Sequence, residues 1–355
     1  MMQIEVHGSR TYTVSIGAGL LRTAGETAAA AVQGRRALLV SDTNVFPLWG
    51  KTVLDSLAAA GFAAQDFVFP AGEASKTPGT LIAAVRACAA AELTRDDLIV
   101  ALGGGVTGDL AGLAAALYLR GVAVLQLPTS LLAMVDSSVG GKTAVDLPEG
   151  KNLLGAFHQP AAVLCDTDAL STLPAADFAC GCGEIVKYAV LTGGRLAALV
   201  EDGIRENLEE VAALCVACKR DLVEADEFDR GERQLLNLGH TIGHAVEQVS
   251  GFAVPHGCAV AAGLCRMARA AAAQGLCPAA DAARIAALCE QYGLPTDAEY
   301  PDEALYAAAL HDKKRRSGTI SLVVPHGIGG CRVERVPLDA LRDWIALGRE
   351  GGERA

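Results

Sequence analysis

Short apolar runs alternate with alanine-rich helical periodicity through the first half of the chain. The runs predict strands at 36–42, 97–103, 122–128 and 161–166, and the periodicity between them predicts helices at 50–61 and near 109–117. Strands that alternate with helices indicate a parallel sheet with crossover helices. Such sheets bind ligands beyond the carboxyl ends of their strands. The polar residues at those ends are Asp42, the turn 103–109, Thr129, Ser130 and Asp166.

The pattern changes after about residue 174, where long helical repeats replace the strand signals. Helices are predicted at 175–200, 205–226, 234–249, 256–274, 278–291 and 302–311, followed by a short strand at 319–324 and a terminal helix from Leu338. We therefore predict an α/β N-terminal domain with a Rossmann-like parallel sheet over 1–174 and a mainly α-helical C-terminal domain over 175–355. A ligand-binding cleft is expected between the two domains.

One side of the predicted helix 234–249 is polar. Four residues share it: Arg233, Asn237, His240 and His244. At about 100° of rotation per residue they fall within roughly 60° of one another. An ordinary amphipathic helix presents a similar stripe to water. Two features favour a metal site instead. Gly239 and Gly243 let a ligand or a second segment approach closely, and three of the seven histidines, including His256, lie in this short span. Imidazoles grouped in this way suit zinc, which still needs an acidic or thiolate partner.

The segment 183–191 offers that acidic partner. Glu184 and Lys187 have the i, i+3 spacing of an ordinary surface ion pair. Their neighbours are nearly all apolar, however, so we expect the helix to be buried and its charges to need partners. Glu184 is the candidate carboxylate ligand, joining two histidines and leaving a coordination position open for substrate.

A glycine-rich turn follows the apolar strand 98–102. The run 103–109 satisfies G-x-G-x-x-G between a strand and a helix, where glycines let backbone amides reach a phosphate. It departs from the dinucleotide fingerprint because it lies far from the N-terminus and lacks an acidic residue about 20 positions later. A tight turn without a ligand is the alternative. We interpret the run as a nucleotide phosphate site.

A second Gly/Ser-rich run, 136–143, is similar to a nucleotide-hydrolase phosphate loop but has Asp136 where that motif requires its first glycine. We interpret it as a long loop that carries Lys142, and then Lys151 and Asn152, towards the strand ends.

Composition narrows the classes of function. The chain has 355 residues, 51% of them hydrophobic, and a formal net charge of −11, which argues against nucleic acid or an anionic membrane as a partner. The sequence displays neither a signal peptide nor a membrane-spanning run, so we expect a cytoplasmic protein. The eleven cysteines lie mostly among apolar residues, as buried reduced thiols do. The pairs Cys215/Cys218 and Cys180/Cys182 are interpreted as packing residues.

Taken together, these motifs resemble the 3-dehydroquinate synthases. The similarity is carried by 103–109, 136–142, 151–157, 184–187, 237–244 and 255–257, in the order and spacing of that family, and extends from about residue 37 to 325. The resemblance implies a dehydroquinate synthase-like fold and a cyclase that depends on NAD and on Zn²⁺ or Co²⁺. Its reaction converts 3-deoxy-D-arabino-heptulosonate 7-phosphate to 3-dehydroquinate and phosphate in the shikimate pathway of aromatic amino acid biosynthesis. It also implies a homodimer and a fold shared with iron-dependent polyol dehydrogenases.

The family's functional residues transfer position by position. Those implied to bind the metal are Glu184, His240 and His256. Those implied to contact NAD are Asp42, Glu73, Lys76, Gly104, Gly105, Val106, Thr107, Gly108, Asp109, Thr129, Ser130, Asp136, Lys142, Lys151 and Thr172. Those implied to surround the substrate phosphate are Lys142, Asn152, His244 and Lys313, with Arg120 reaching across the dimer. Lys219 and Arg233 match contacts to the substrate carboxylate, and Asn237 and Lys187 match contacts to its hydroxyls. Two departures, Asp229 for Glu and Ser130 for Thr, preserve the functional group.

The implied chemistry is consistent with these residue types. Transient oxidation of a substrate hydroxyl acidifies the adjacent C–H, phosphate is eliminated, hydride returns, and an intramolecular aldol closes the ring. Alternatives in the same enzyme class are an amino-dehydroquinate synthase, which shares nearly all these residues, or another sugar phosphate cyclase, which should diverge at Lys219, Arg233, Asn237 and His244. A polyol dehydrogenase that releases NADH and a non-catalytic binding paralogue are the more distant alternatives.

Overall fold

The computed structural model describes residues 1–310, the backbone of 315 and 316, and residues 318–351. The chain divides into two compact units. The first comprises Met1–Pro174 together with Lys219–Phe228, and the second comprises Ala175–Cys218 and Asp229–Ala355. The break after Pro174 falls where the helical repeats begin, but ten residues from the later part of the sequence, Lys219–Phe228, group with the first unit.

A seven-stranded sheet forms the centre of the first unit. The strands of this unit are β1 (Met2–Val6), β2 (Tyr12–Gly17), β3 (Arg36–Asp42), β4 (Ala63–Phe69), β5 (Leu98–Gly103), β6 (Ala123–Pro128), β7 (Lys142–Leu147), β8 (Gly150–Phe157) and β9 (Ala162–Asp166). The sheet order is β1-β2-β9-β6-β5-β3-β4, with only β1 antiparallel to its neighbour. Near-continuous burial of β3, β5, β6 and β9 explains their unbroken apolar sequences. The predicted Rossmann-like parallel sheet is confirmed.

The strand order reverses between β3 and β5, which lie side by side although β4 follows β3 in sequence. This is the switch point at which open α/β sheets form a ligand crevice. The helices of the unit are α1 (Ala24–Ala31), α2 (Lys51–Ala59), α3 (Pro78–Ala90) and α4 (Gly105–Leu117). Helix α4 begins four residues earlier than predicted, because its first turn consists of the glycine-rich run itself.

The prediction of a long loop from Asp136 to Asn152 is wrong. A short helical turn at Ala133–Ser137 is followed by β7 and β8, which form an antiparallel hairpin. Glycines and lysines along these strands obscured the alternating pattern. The hairpin buries Thr143, Ala144 and Val145 on β7, whereas most of β8 is exposed.

Helices dominate the second unit, as predicted. The helices that begin in this unit are α5 (Ala175–Thr192), α6 (Gly194–Asp202), α7 (Leu208–Ala225), α8 (His240–Val249), α9 (His256–Ala273), α10 (Ala279–Gln291), α11 (Asp302–Ala309) and α12 (Ala340–Leu347). The last part of α7, from Lys219, groups with the first unit. Strands β10 (Arg315–Arg316), β11 (Thr319–Pro325) and β12 (Cys331–Pro337) form a small antiparallel sheet, of which only β11 was predicted. Among the described helices, none combines the length and the apolar character that crossing a membrane requires.

Two helix predictions need correction. The stretch 175–200 contains two helices, because Gly193 and Gly194 both have positive φ. The single helix predicted at 234–249 is a short helical turn, Glu232–Asn237, followed by α8. Gly239 separates them at φ 76°, so Arg233 and Asn237 do not share a helical face with His240.

A buried carboxylate ties together the amino ends of β3 and β5. Asp97 accepts hydrogen bonds from the Arg36 amide at 2.9 Å and from the Thr94 amide and hydroxyl, both at 2.8 Å. Burial alone would raise the pKa of Asp97, but these hydrogen bonds outweigh it and lower the pKa below its usual value.

We expect Asp97→Asn to lower the free energy of unfolding by about 2 kcal/mol at neutral pH, since an amide cannot replace both acceptor oxygens. Because the native-state pKa is lowered, the stabilisation is full above the unfolded-state pKa and is lost as pH falls through the native-state pKa. Urea unfolding at several pH values should therefore show the two proteins converging in acid. The exposed neighbour serves as control, since Asp96→Asn should leave stability within about 0.5 kcal/mol. A difference independent of pH would contradict this explanation.

Candidate functional site

Three side chains predicted as metal ligands converge in the second unit. The Oε1 atom of Glu184 lies 3.1 Å from Nε2 of His256 and 3.4 Å from Nε2 of His240. Potential ligand atoms of all three residues lie within 4.8 Å of one another. Glu184 is fully buried and His240 nearly so, while the side chain of His256 retains 32% exposure. Two imidazole nitrogens and one carboxylate oxygen therefore face a common point that is partly open.

Close helix packing brings α5 and α9 to this point. A Cβ atom on Gly183 would lie 2.2 Å from the Gly257 carbonyl oxygen, and one on Gly257 would lie 1.8 Å from the Cys180 carbonyl oxygen. Only glycine permits that approach. Since Glu184 and His256 are the immediate sequence neighbours of these glycines, the helix contact sets their separation. On α8, the left-handed Gly239 places His240 at the first helical position.

Hydrogen bonds at the opposite ring nitrogens orient both histidines. Nδ1 of His240 lies 3.0 Å from the Leu238 carbonyl oxygen, and Nδ1 of His256 lies 3.0 Å from Oε2 of Glu247. A proton on each Nδ1 satisfies these acceptors and directs Nε2 towards Glu184. Glu247 was not predicted. The sequence did contain a signal for it, because Glu247 follows the apolar Ala245 and Val246 on α8, and a buried acidic residue requires a polar partner.

Lys187 compensates the charge of the carboxylate ligand. Its Nζ lies 2.5 Å from Oε2 of Glu184, so the two carboxylate oxygens have separate partners. Burial would raise the pKa of Glu184, but Lys187 and the two histidines hold that pKa well below its usual range. Predicted as a substrate-hydroxyl contact, Lys187 lies in the structure against the carboxylate ligand.

The two imidazoles differ in their electrostatics. Burial lowers the pKa of His240 to about 4, which leaves its ring neutral. For His256, burial acts in the same direction, but Glu184 and Glu247 outweigh it and raise the pKa to about 10. The pocket thus favours positive charge at the point that Nε2 of His256 faces. This preference and the two-nitrogen, one-carboxylate donor set fit a divalent cation such as Zn²⁺ or Co²⁺, with a coordination position left for substrate.

The predicted cofactor residues belong to the first unit, many of them at the carboxyl ends of its strands. Asp42 ends β3, and its carboxylate accepts from the amides of Asn44 and Val45 and from the Thr107 hydroxyl at 3.3 Å. Gly104 precedes α4, and Gly105, Val106, Thr107 and Gly108 form its first turn. Amides in the first turn of a helix lack intrahelical acceptors, so this end of α4 is suited to bind a phosphate. It adjoins the switch point between β3 and β5.

A second group surrounds Lys76. This buried lysine lies 2.7 Å from Asp109 Oδ2 and 2.6 Å from Asn152 Oδ1. Burial would lower the pKa of Lys76, but Asp109 and Glu73 raise it, so the ammonium stays charged. Lys151 on β8 approaches Glu73 at 3.6 Å. Five predicted residues are therefore neighbours, although they come from three separate parts of the sequence.

Three further cofactor predictions lie near other strand ends. The Thr129 amide donates to the Gly103 carbonyl at 2.9 Å, and Ser130 accepts from the Ala133 amide at 3.3 Å. The Thr172 hydroxyl accepts from the indole of Trp49 at 3.1 Å. Trp49 was not predicted, and no motif around it indicates a role.

The predicted phosphate contacts are distributed among several elements. Lys142 is the first residue of β7 and is exposed, and Asn152 on β8 has a left-handed φ of 55°. The ring centre of His244 lies 5.3 Å from that of His240 and 5.9 Å from that of His256. Arg120 is exposed beyond α4 at φ 68°. Lys313 lies outside the described residues.

The predicted carboxylate and hydroxyl contacts occupy both units. Lys219 belongs to the first unit, where its Nζ binds the Asp136 carboxylate and lies 2.6 Å from the Asp136 carbonyl oxygen. Arg233 and Asn237 belong to the second unit and lie in the short helical turn before α8, where Arg233 is 1% exposed.

Structural comparison identifies the class of protein to which this fold belongs, the sugar phosphate cyclases. A structure of 2-deoxy-scyllo-inosose synthase complexed with carbaglucose-6-phosphate, NAD⁺ and Co²⁺ matches with a TM-score of 0.87 and 25% identity, covering 97% of this chain and 99% of that one. ValA, the 2-epi-5-epi-valiolone synthase of Streptomyces hygroscopicus subsp. jinggangensis 5008 with NAD⁺ and Zn²⁺ bound, matches with a TM-score of 0.85 and 27% identity over 98% of both chains. The NADH-dependent butanol dehydrogenase A of Thermotoga maritima shares the fold, with a TM-score of 0.64, 14% identity and coverage of 95% and 96%.

Sequence comparison narrows the class to one family. The family model described as 3-dehydroquinate synthase N-terminal matches residues 66–180, and the corresponding C-terminal model matches residues 181–315. The chain belongs to the 3-dehydroquinate synthase family. Similar proteins named 3-dehydroquinate synthase include one from Xanthomonas oryzae pv. oryzae, 45% identical over 93% of this chain and 94% of its own, and one from Geobacter metallireducens, 44% identical with the same coverage.

Glu247 provides a test of the metal group. We expect Glu247→Gln to weaken Zn²⁺ binding by about 10- to 100-fold, because the neutral amide orients and polarises His256 less strongly. Competition with a chromophoric chelator measures the affinity directly. Glu303→Gln removes an exposed carboxylate elsewhere in the same unit and should leave it unchanged. Equal affinities of the wild type and Glu247→Gln would exclude this role for Glu247.

Proposed function

We propose that this protein is a 3-dehydroquinate synthase, which converts 3-deoxy-D-arabino-heptulosonate 7-phosphate to 3-dehydroquinate and phosphate with NAD and a divalent cation, Zn²⁺ or Co²⁺. The observation that carries the proposal is the convergence of Glu184, His240 and His256 in a chain of this family. Structural relatives at 25% and 27% identity bind NAD⁺ with Co²⁺ or Zn²⁺, which supports both cofactors.

The residues around the metal group suit transient oxidation of a hydroxyl. When bound, the cation and NAD supply Lewis acidity at a substrate hydroxyl and a reversible hydride acceptor. His240 presents a neutral Nε2, Glu184 stays ionised because Lys187 compensates it, and Glu247 keeps the ring of His256 oriented. The group is therefore preorganised, with little rearrangement required on binding.

We assign the anionic ends of the substrate to separate cations. Lys219 and Arg233 bind the carboxylate, and Asn237 and Lys187 contact the hydroxyls. Lys142, Asn152, His244 and Lys313 bind the phosphate. Held at both ends, the substrate is oriented for oxidation, elimination, reduction and aldol closure on one protein. The first-turn amides of α4, together with Asp42 and the group around Lys76, hold NAD.

One assay tests the reaction. Purified protein with the heptulosonate phosphate and catalytic NAD should release phosphate and 3-dehydroquinate in equal amounts, without net NADH. Removing divalent cations with a chelator should abolish both products, and Zn²⁺ or Co²⁺ should restore them. Glu184→Gln should lose metal binding and at least about 100-fold in rate, whereas Glu201→Gln, at an exposed carboxylate, should retain both. Accumulation of NADH without phosphate would instead identify a dehydrogenase.

We also propose a homodimer formed through the first unit, in which Arg120 reaches the phosphate in the partner subunit. Strand β8 pairs with β7 on one side, and Leu153, Leu154 and Phe157 along it are about two-fifths exposed. Leu117 and Leu119 beside Arg120 are similarly exposed. Apolar side chains along an exposed strand are typical of surfaces that pair with another chain.

The eleven free thiols support a reducing, cytoplasmic location.

The dimer proposal predicts a particle of twice the 36.5 kDa chain mass in light scattering. Leu154→Lys places a charge on β8 and should shift the equilibrium towards the monomer by at least about tenfold in dissociation constant. Leu48→Lys, at another exposed leucine, is the control. A wild-type particle of single-chain mass at micromolar concentration would refute the proposal.

A further inference from the structure

The segment that carries Lys219 is docked to the first unit by two carboxylates. Lys219–Phe228 groups with that unit, although the residues on both sides of it, up to Cys218 and from Asp229, group with the other. The segment contains the last turns of α7 and three residues beyond its end. Contacts that hold it therefore also determine where the Lys219 ammonium lies.

Of the two carboxylates, Glu227 accepts more hydrogen bonds. Its Oε2 accepts from the Ser9 amide at 2.8 Å, and its Oε1 accepts from the Ser9 hydroxyl at 2.6 Å and from the Gln159 side-chain amide at 2.8 Å. A Cβ atom on Gly8 would lie 3.3 Å from the carboxyl atoms, so glycine there keeps room for the carboxylate. Glu227 thus accepts hydrogen bonds from the turn between β1 and β2 and from Gln159, which lies between β8 and β9.

Two neighbouring contacts support the same docking. Oε1 of Glu224 accepts from the His7 amide at 2.7 Å, on the same turn. The ring of Phe228 stands edge-on to that of Phe157, with 5.3 Å between centres. The two carboxylates are separated from their partners on the β1–β2 turn by more than 200 residues in sequence, yet the donor–acceptor distances are those of normal hydrogen bonds.

The opposite end of the segment binds a predicted cofactor residue. The Lys219 ammonium contacts both the carboxylate and the carbonyl oxygen of Asp136, with little solvent around either side chain. An ammonium that is already held in place binds an anionic ligand with higher affinity, because a free lysine side chain would lose rotamer entropy on binding. Since Lys219–Ala225 is helical, fixing the residues after the helix fixes the direction from which Lys219 projects.

We propose that Glu227 is a positioning residue for Lys219, acting through the docked segment and without contacting the substrate. The assignment rests on the proposed function, in which Lys219 binds the substrate carboxylate. It adds a specific requirement, namely that a carboxylate at position 227 must hold the segment against the β1–β2 turn before Lys219 can bind the substrate with full affinity.

Kinetics of Glu227→Ala provide the first test. We expect KM for the heptulosonate phosphate to rise about tenfold and kcat to change less than about threefold, because a displaced Lys219 weakens binding in the ground state and transition state alike. Glu227→Gln, which keeps one acceptor oxygen, should restore part of the loss. Glu201→Ala removes a carboxylate of similar charge from the second unit and should leave both parameters unchanged.

A double variant separates positioning from general damage. If Glu227 acts through Lys219, Glu227→Ala combined with Lys219→Ala should have the same KM as Lys219→Ala alone. Losses that simply multiply would overturn the proposal, because Glu227 would then act independently of Lys219.

Lysine labelling provides a readout that does not depend on turnover. Brief acetylation followed by peptide mass spectrometry should modify Lys219 at least about fivefold faster in Glu227→Ala than in the wild type, with the exposed Lys51 as internal standard. Ser9→Ala, which removes one donor, should give a smaller increase and is available if Glu227→Ala does not fold. Unchanged labelling in both variants would overturn the proposal. A wild-type protein that releases no phosphate but shows these labelling differences would refute the proposed reaction and leave the positioning role intact.

Discussion

The ionised carboxylate of Glu184 in a fully buried position is the constraint on which the metal site depends. A lone carboxylate there would take up a proton, because burial disfavours its charge. The structure gives each oxygen a cationic or imidazole partner: Lys187 on one side, and His240 and His256 on the other. The helix contact at Gly183 and Gly257, the left-handed Gly239 and the Glu247–His256 hydrogen bond all serve this arrangement.

The sequence predicted the parallel sheet and the helical second half, because these features have strong local signals. Its local pattern also indicated Glu184 and two histidines as metal ligands, and the family resemblance selected His240 and His256. Unbroken apolar runs identify buried strands, and a histidine-rich span with flanking glycines identifies a site. It did not predict the hairpin of β7 and β8, where strand pairing rather than alternation determines the structure. The helix proposed at 234–249 was wrong for a related reason. Its polar periodicity continues across Gly239, but that residue adopts a backbone conformation that interrupts the helix.

Long-range contacts explain what the sequence could not predict. The pattern at 205–226 indicates a helix, and α7 is one, but nothing in the periodicity indicates that its last turns group with the first unit. That depends on Glu224 and Glu227 meeting the turn at residues 7–9, more than 200 residues away. Glu247 is a similar case, because its role becomes visible only once α8 and α9 bring it to His256. Local sequence indicates the chemistry of a carboxylate, whereas its partner is a property of the fold.

Buried lysines matched to carboxylates recur at the predicted site residues. Lys76 pairs with Asp109, Lys187 with Glu184 and Lys219 with Asp136. Such pairs contribute little net stability, since desolvation of two charges offsets their attraction. A protein with a net charge of −11 has no general attraction for an anionic substrate or for the pyrophosphate of NAD, so each cation must be placed individually. The pairs achieve that placement, because a lysine held by a fixed carboxylate has already lost its conformational freedom before any ligand arrives. The roles proposed for these lysines in binding would therefore account for the cost of burying their charges, which folding stability does not.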